Sequence, residues 1–452
     1  MKIAFIKPNI GRMEHSLYVD EARMAPLQFG VLAALTPPSC EVVLHDDRCE
    51  KIPYDEHVDL AAITVETYTA RRAYEIAAEY GKRGVPVVMG GMHAALLPDE
   101  VALHADSVYT GDAEFLWPQL LEDAKQGRLK PFYRGGTDRP QPGLPTRRDI
   151  FKGKGYLPIT MTQFGRGCRF DCEFCATSVY FNKLHSHRDI KEVVAEIEAL
   201  NNDIVFFVDD NITADPDAAK RLFRALIPLK IRWISQASLD ATRDRELMSL
   251  MARSGCIGNV VGFESIDPGS VRSMNKAQNL GGEAGYRTQL EVLKDHGLST
   301  WAAFTLGHDL DTRDTVKRTL EFALENKFAF AAFNILMPYP GTPVYERLRG
   351  EGRLLYDGKW WLHPEYRFNH AAFRPRLMTP GELTDACFEA RKTFNSVSSI
   401  VRRAFSLKTN MGSLFRFLVY ARYNKLFRKE VFKKQGMLFG LEGASSPRGG
   451  GT

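Results

Sequence analysis

Residues 165–175 read GRGCRFDCEFC and set Cys168, Cys172 and Cys175 in a C-x3-C-x2-C spacing. Thiolates are ligands for soft metals. A structural zinc site takes four protein ligands in a tetrahedron. Only three thiols are close here, and His185 and His187 are the nearest candidates for a fourth ligand, so zinc stays open. An iron–sulfur cube has four irons, normally all held by cysteine. Three cysteines leave one iron open, and an open iron can bind a substrate. The other cysteines, Cys40, Cys49, Cys256 and Cys387, are scattered and read as small apolar residues.

The bulk of the chain fits a folded enzyme. At 452 residues it is too long for one ordinary core. Hydrophobic content of 44% and charged content of 25% are ordinary for folded proteins. The net charge of +5 is mild and does not imply nucleic acid. The opening MKIAFIKPNI is interrupted by Lys7 and Pro8 too soon for a signal peptide. No apolar run reaches the roughly 18 residues needed to cross a bilayer. A cytoplasmic protein is expected, and there clustered cysteines bind metal or react more often than they form disulfides.

The elements that must position the thiols come in two series. In the first 132 residues, the runs 2–8, 41–46, 60–65, 85–91 and 107–111 read as buried strands, with helices over 26–35, 69–83 and 113–125. This is the pattern of a flavodoxin-like, doubly wound α/β domain that binds its ligand beyond the carboxyl ends of its strands. Residues 133–150 are rich in proline and glycine and read as a linker. Strand signals then recur at 157–164, 203–209, 231–237, 258–264, 299–306 and 330–337, with helical stretches between them. Six βα units over 151–348 predict a partial (β/α)6 barrel, whose chemistry would lie at the carboxyl ends of its strands. The cysteines follow the first of these strands. Residues 349–452 read as a helical, basic C-terminal region.

In that setting C-x3-C-x2-C, with aromatic Phe174 before the last cysteine, resembles the signature of radical S-adenosylmethionine (SAM) enzymes. The resemblance implies a [4Fe–4S] cluster on Cys168, Cys172 and Cys175 whose open iron chelates the amino and carboxylate groups of SAM. One electron, from a donor such as flavodoxin or ferredoxin, would cleave SAM to methionine and a radical that abstracts hydrogen from substrate. Other segments are similar to the family's looser motifs. FVDDNIT (207–213) offers Asp209 or Asp210 near the SAM amino group or ribose. In ISQAS (234–238) Ser235 and Gln236 would both point into the barrel. GFESIDPGSVRSMNK (262–276) offers Glu264 and Ser265, and FTLGH (304–308) places Leu306 beside the adenine. The same acidic residues could simply cap helices, as Asp215 before Pro216 suggests.

A flavodoxin-like domain ahead of such a barrel resembles the cobalamin-dependent subgroup. The resemblance rests on the run from Val87 to Leu121. Gly90 and Gly91 would let a flat ligand approach the backbone. Thr64, Glu66, His93, Gly111 and Glu114, with Asp112, would share that rim. The cobalt-ligating Asp-x-His-x-x-Gly motif is missing after the first strand: the loop reads PNIGRMEHSLYVDE, and His15 stands in another context. Cobalamin without a protein histidine on cobalt is therefore expected.

The tail 401–434 has ten basic residues, one acid (Glu430) and interleaved aromatics. It reads either as a helix packed on the barrel or as a peripheral contact with an anionic membrane. The whole chain is similar to hopanoid methylases and the anaerobic magnesium-protoporphyrin cyclase. The reaction implied is methylation of an unactivated carbon in a small-molecule or lipid substrate. Ring formation or oxidation on the same fold is the first alternative, and a zinc-bearing RNA-binding protein is the second. No nucleic-acid partner is expected, because acidic residues line the strand ends of the barrel.

Overall fold

The structure, a computed structural model, describes residues 1–11, 23–136, 146–200, 204–279 and 281–440. His15, residues 137–145 of the proline-rich linker and the final SSPRGGGT lie outside them. Contacts divide the chain into two compact units. The first comprises the described residues of 1–157, 355–368 and 436–440. The second comprises those of 158–354 and 369–435. The residues from 349 onward therefore do not form one region: two short segments belong to the first unit and the rest to the second.

The first unit is built on six parallel strands: β1 (Lys2–Lys7), β2 (Glu41–Asp46), β3 (Leu60–Thr64), β4 (Val87–Gly90), β5 (Ser107–Thr110) and β6 (Phe132–Arg134). Their order is β2-β1-β3-β4-β5-β6. Ile3, Ala4, Phe5 and Ile6 are all buried, as are Leu60, Ala61, Ala62 and Ile63. Such continuous apolar runs form because helices cover both faces of the sheet. One of these helices, Ala70–Gly81, buries Ala70, Ala73, Ala77 and Tyr80 at helical spacing. The strand order reverses between β1 and β3, so a crevice opens beyond their carboxyl ends. The short strand β6 falls where the sequence suggested the end of the domain and the start of a linker.

The second unit holds β7 (Thr160–Thr162), β8 (Gly165–Gly167), β9 (His185–His187), β10 (Ile204–Phe207), β11 (Arg232–Gln236), β12 (Cys256–Glu264), β13 (Ser299–Leu306) and β14 (Phe330–Ile335). Six of them form a parallel sheet in the order β14-β13-β12-β11-β10-β7, the succession of a partial barrel. β8 and β9 form a small antiparallel pair beside it. The intervening helices begin on capping side chains: Asp215 accepts from the Ala218 N–H at 2.9 Å, Asp244 from Leu247 and Asp267 from Ser270. The capping reading of Asp215 is thus what the structure shows.

The tail is helical, with Pro380–Phe394, Val397–Ala404 and Leu414–Lys434. The last helix lays Phe427 against Trp301, with ring centroids 4.9 Å apart, and against Phe330 at 5.3 Å. Phe415 sits under the Arg232 guanidinium at 4.3 Å. Barrel packing therefore accounts for one face of this helix.

Candidate active site

The cysteine loop leaves β8 and is tied down at several points. Gly167 has φ +77°, and a Cβ there would meet the Leu184 carbonyl at 2.1 Å, so only glycine fits where β8 ends. Cys175 N–H closes a turn onto the Cys172 carbonyl at 3.1 Å. Glu173 N–H donates to the Met274 carbonyl at 3.1 Å, and the Glu173 carbonyl accepts from Val344 at 3.1 Å. Its carboxylate pairs with Arg347 at 2.8 Å, and Arg347 also holds Asp309 at 2.9 Å. These bonds fix the loop from two directions before any cofactor is considered.

Cys172 is buried, and Cys168 and Cys175 are half-buried. Asn211 donates its side-chain amide to Cys168 Sγ at 3.9 Å, and Gln278 does the same to Cys172 Sγ at 3.8 Å. Burial pushes the Cys172 thiol up to about 11, while the Lys276 ammonium works the other way. Burial also raises Cys168. Thiols in this state become thiolates when a cationic metal centre compensates the buried charge. Among the described residues no three His, Cys, Asp or Glu side chains converge on a single-ion site. His187 stacks on Phe164 at 5.0 Å, and a Cβ on Gly165 would meet His185 Nε2 at 2.7 Å, so both rings are packed beside the β8–β9 pair. The zinc alternative has no assembled ligand set. Three thiols on one braced loop are the donor set of an iron–sulfur cube that keeps one iron for a ligand.

The acidic residues of the barrel are placed as follows. Asp209 is buried; its two oxygens accept from Phe164 N–H at 2.8 Å and Gly165 N–H at 2.6 Å. Burial pushes its carboxyl up to about 7 against the pull of those amides. Asp210 accepts from Gly167 N–H at 2.9 Å and from the Thr177 hydroxyl at 3.1 Å. Both side chains brace the backbone leading into the cysteines. Gln236 is exposed and donates to the Asp209 carbonyl at 3.2 Å. Ser235 is buried and donates to the Phe207 carbonyl at 2.9 Å. Strand neighbours face opposite sides, and Ser235 shares its side with Trp233, which packs on Phe223 of the covering helix. The expectation that Ser235 and Gln236 both point into the barrel is corrected accordingly.

Glu264 sits at φ +63° at the end of β12. Its carboxylate accepts from Lys276 Nζ at 2.9 Å and from the Thr305 hydroxyl at 2.6 Å. Burial alone would lower the Lys276 ammonium, but Glu264 and then Cys172 hold it above its ordinary value. A Cβ on Gly262 would meet the Glu264 carboxylate at 2.3 Å, so glycine makes room for the pair. Ser265 is buried and accepts from Asp267 N–H at 3.1 Å. Leu306 is buried at the end of β13. Phe174 faces the ring of His308 at 6.3 Å and lies 5.9 Å from Lys276 Nζ.

Two buried polar atoms here have no hydrogen-bond partner among the described residues: Gln278 Oε1 and His308 Nε2. Leaving such atoms unpaired is costly. They lie on residues that touch Cys172 and Phe174, and they suit a polar ligand such as SAM. Neither residue is predicted from the sequence, nor are Asn211 and Lys276, although Asn211 and Lys276 fall inside segments already singled out.

The first unit gives a different picture at its rim. A Cβ on Gly91, at φ +109°, would meet the Val65 carbonyl at 2.9 Å. On Gly111, at φ +82°, it would meet the Gly135 carbonyl at 2.2 Å. Both glycines are required by the fold itself. At Gly90 a Cβ would make only ordinary contact, with Tyr109 Cβ at 3.4 Å and the Tyr109 carbonyl at 3.5 Å, so the fold itself does not demand glycine there. Thr64 ends β3 on the same rim, and Glu66 beyond it pairs with Lys7 of β1. Glu114 is buried nearby. Asn9 Nδ2, buried at the end of β1, has no partner among the described residues, which suits a ligand with amide acceptors such as cobalamin. His93 is fully buried between Thr67 Oγ1 and Glu100 Oε1, both at 3.2 Å. Trp361 lies against its ring at 5.6 Å. His93 is a hydrogen-bond link inside the unit.

Comparison with known proteins follows this geometry. Residues 162–323 match the family model of the Radical SAM superfamily. The chain is 31% identical over 366 residues to a bacteriochlorophyllide d C-8(2)-methyltransferase of Chlorobaculum tepidum, covering 75% of this chain and 80% of that protein. It is 28% identical over 432 residues to the bacteriochlorophyllide d C-12(1)-methyltransferase of the same organism, covering 92% of each. The fold matches the radical SAM methyltransferase TsrM from Kitasatospora setae, solved with cobalamin and a [4Fe–4S] cluster, with a TM-score of 0.66 at 16% identity over 95% of this chain and 99% of that one. The chain belongs to the cobalamin-dependent radical SAM methyltransferases, whose cofactors are a [4Fe–4S] cluster, SAM and cobalamin.

Proposed function

We propose that the protein methylates an unactivated carbon of a small apolar molecule, and that a chlorin side chain is the substrate class to test first. The observation that carries this reading is the C-x3-C-x2-C loop, clamped through Glu173 and Arg347, with Cys168 and Cys172 already receiving amide N–H groups. The likeness to two bacteriochlorophyllide d methyltransferases supports the substrate class.

When bound, the cluster, SAM and cobalamin supply the one-electron cleavage and the methyl carriage, because the hard chemistry belongs to the cofactors. The chain's own residues hold and exclude. Cys168, Cys172 and Cys175 hold the cluster. Gln278 Oε1, His308 Nε2 and Gln236 offer polar contacts to SAM, and Phe174 and Leu306 border its apolar side. The buried Lys276–Glu264 pair keeps an ammonium charge beside Cys172, and Asp209 and Asp210 keep the loop backbone in place. Thr64, Glu66, Gly90 and Asn9 form the crevice for the corrin. A one-electron donor such as flavodoxin or ferredoxin in the cytoplasm completes the requirement.

The test is anaerobic reconstitution followed by reaction with methyl-labelled SAM and the chlorin pool of a strain lacking the gene. The reading expects label in the product together with 5′-deoxyadenosine. Deoxyadenosine formed with an altered but unlabelled product would overturn methylation in favour of ring formation or oxidation at the same site.

A further inference from the structure

The second unit carries a surface that the radical chemistry does not use. Nine of the fourteen exposed large apolar side chains among the described residues fall between positions 397 and 432. Soluble surfaces scatter such residues singly, and their concentration marks an interaction site. Six of them border a trough of about 810 Å³ between the helices Val397–Ala404 and Leu414–Lys434. Val397, Val401, Phe417 and Phe432 line it.

The trough is rigidly built. Arg403 is fully buried and donates to the carbonyls of Phe328 at 2.8 Å, Ala329 at 2.9 Å and Phe394 at 3.0 Å, and to Asn424 Oδ1 at 3.1 Å. Tyr420 adds a bond from its hydroxyl to the Ile400 carbonyl at 2.6 Å. These bonds lock the two helices together. The long helix spends its other face on the barrel, through Phe427. The apolar side chains of the trough are therefore turned outward by construction.

The charge beside the trough has one sign. Arg402, Arg422, Lys425 and Arg428 are exposed and have no ion pair among the described residues. The single acid of 401–434, Glu430, is engaged with Lys434 at 3.4 Å. Arg403 and Arg416, two of the tail's cations, are withdrawn from this surface: the first is buried, and the second packs by Gly297. No helix among the described residues is long and apolar enough to cross a membrane. Exposed apolar residues flanked by unpaired cations are the composition of a face that lies on a bilayer.

We propose that this face docks on an anionic lipid surface. Val401, Leu414 and Leu418 enter the acyl boundary, and Arg422, Lys425 and Arg428 meet headgroup phosphates. The proposal stands independently of the reaction assigned above.

The test uses the cluster-loaded full chain in flotation with phosphatidylglycerol-containing vesicles and with pure phosphatidylcholine vesicles, at low and high salt. Binding to the anionic vesicles is expected to exceed binding to the neutral ones by about tenfold or more and to fall steeply with salt. Lys425→Glu with Arg428→Glu is expected to remove most of that binding, as is Leu414→Asp with Leu418→Asp. Both variants should keep the wild-type circular dichroism and 5′-deoxyadenosine formation. Equal recovery with both lipids, no recovery with either, or full binding by a folded variant would overturn the proposal. So would a dimer in light scattering that Leu418→Asp converts to monomer, because a second copy of the chain would then cover this face.

Discussion

The cysteine loop and the glycine rim were both read as ligand sites, and the fold uses the residues of the two in different ways. In the loop, the thiols are the chemistry, and the fold is arranged around them by Gly167, Glu173, Asn211 and Gln278. At the rim, Gly91 and Gly111 are consumed by the fold, because backbone carbonyls of Val65 and Gly135 stand where a Cβ would go. A cysteine spacing reports ligand demand directly. A glycine run reports close approach of something, and that something is often the chain itself.

The sharpest way to break this contrast is at the thiols. Cys168→Ala, Cys172→Ala and Cys175→Ala should each abolish cluster iron retention and 5′-deoxyadenosine formation. Cys256→Ala and Cys387→Ala, both in the apolar core, should keep SAM cleavage and lose only stability. Iron analysis and product chromatography after anaerobic purification check both halves.

Next comes the pair beside Cys172. Lys276→Met leaves the Glu264 carboxylate buried without its cation. Breaking such a pair costs about 3–5 kcal/mol. Urea denaturation should show this loss, and Lys276→Met with Glu264→Gln should recover part of it. An unchanged midpoint for the single variant would mean that the pair is solvated.

The rim is tested by two glycine substitutions with opposite readouts. Gly111→Ala meets both a positive φ and the Gly135 carbonyl, so it should lower stability by at least about 1–3 kcal/mol. Gly90→Ala meets only an ordinary contact, so it should leave the fold intact and weaken cobalamin binding. Thermal melts and cobalamin retention on gel filtration separate the two. Full cobalamin retention by Gly90→Ala would remove that rim position from the corrin site.

The smallest effect is a pH dependence in the first unit. Glu100 accepts from His93, Trp361 and Tyr74 and pairs with Lys359. Burial opposes its charge, but these partners hold its carboxyl down to about 2, from an ordinary value of 4.5. A carboxyl with a depressed folded pKa contributes stability above its unfolded pKa and loses it as pH falls through the folded one. Up to about 3 kcal/mol should therefore disappear between about pH 4.5 and 2. Glu100→Gln should flatten that slope in acid denaturation.

Much of the architecture could be read from local pattern. All six barrel strands lie within the apolar runs that predicted them, apart from one or two residues at the start of β12, and five of the six strands of the first unit do likewise. β6 was missed because three residues carry no periodicity. The return of residues 355–368 and 436–440 to the first unit was missed because Trp360, Phe368 and Phe439 find Tyr68 only in space. Around the thiols, the side chains that bond to sulfur belong to Asn211, inside FVDDNIT, and to Gln278, just beyond GFESIDPGSVRSMNK. Which residue of a segment faces the site depends on strand-end geometry, such as the positive φ of Glu264, and spacing does not encode that. Asp209 and Asp210 fell on the expected strand end, where their carboxylates bind backbone amides.

The most direct test of the central claim is electron paramagnetic resonance of the anaerobically reconstituted, reduced protein, with and without SAM, alongside iron and sulfide analysis. The account predicts about four irons per chain, a reduced-cluster signal that changes shape when SAM is added, and loss of that signal in Cys172→Ala. A chain that binds zinc in place of iron, or a cluster signal indifferent to SAM, would contradict it.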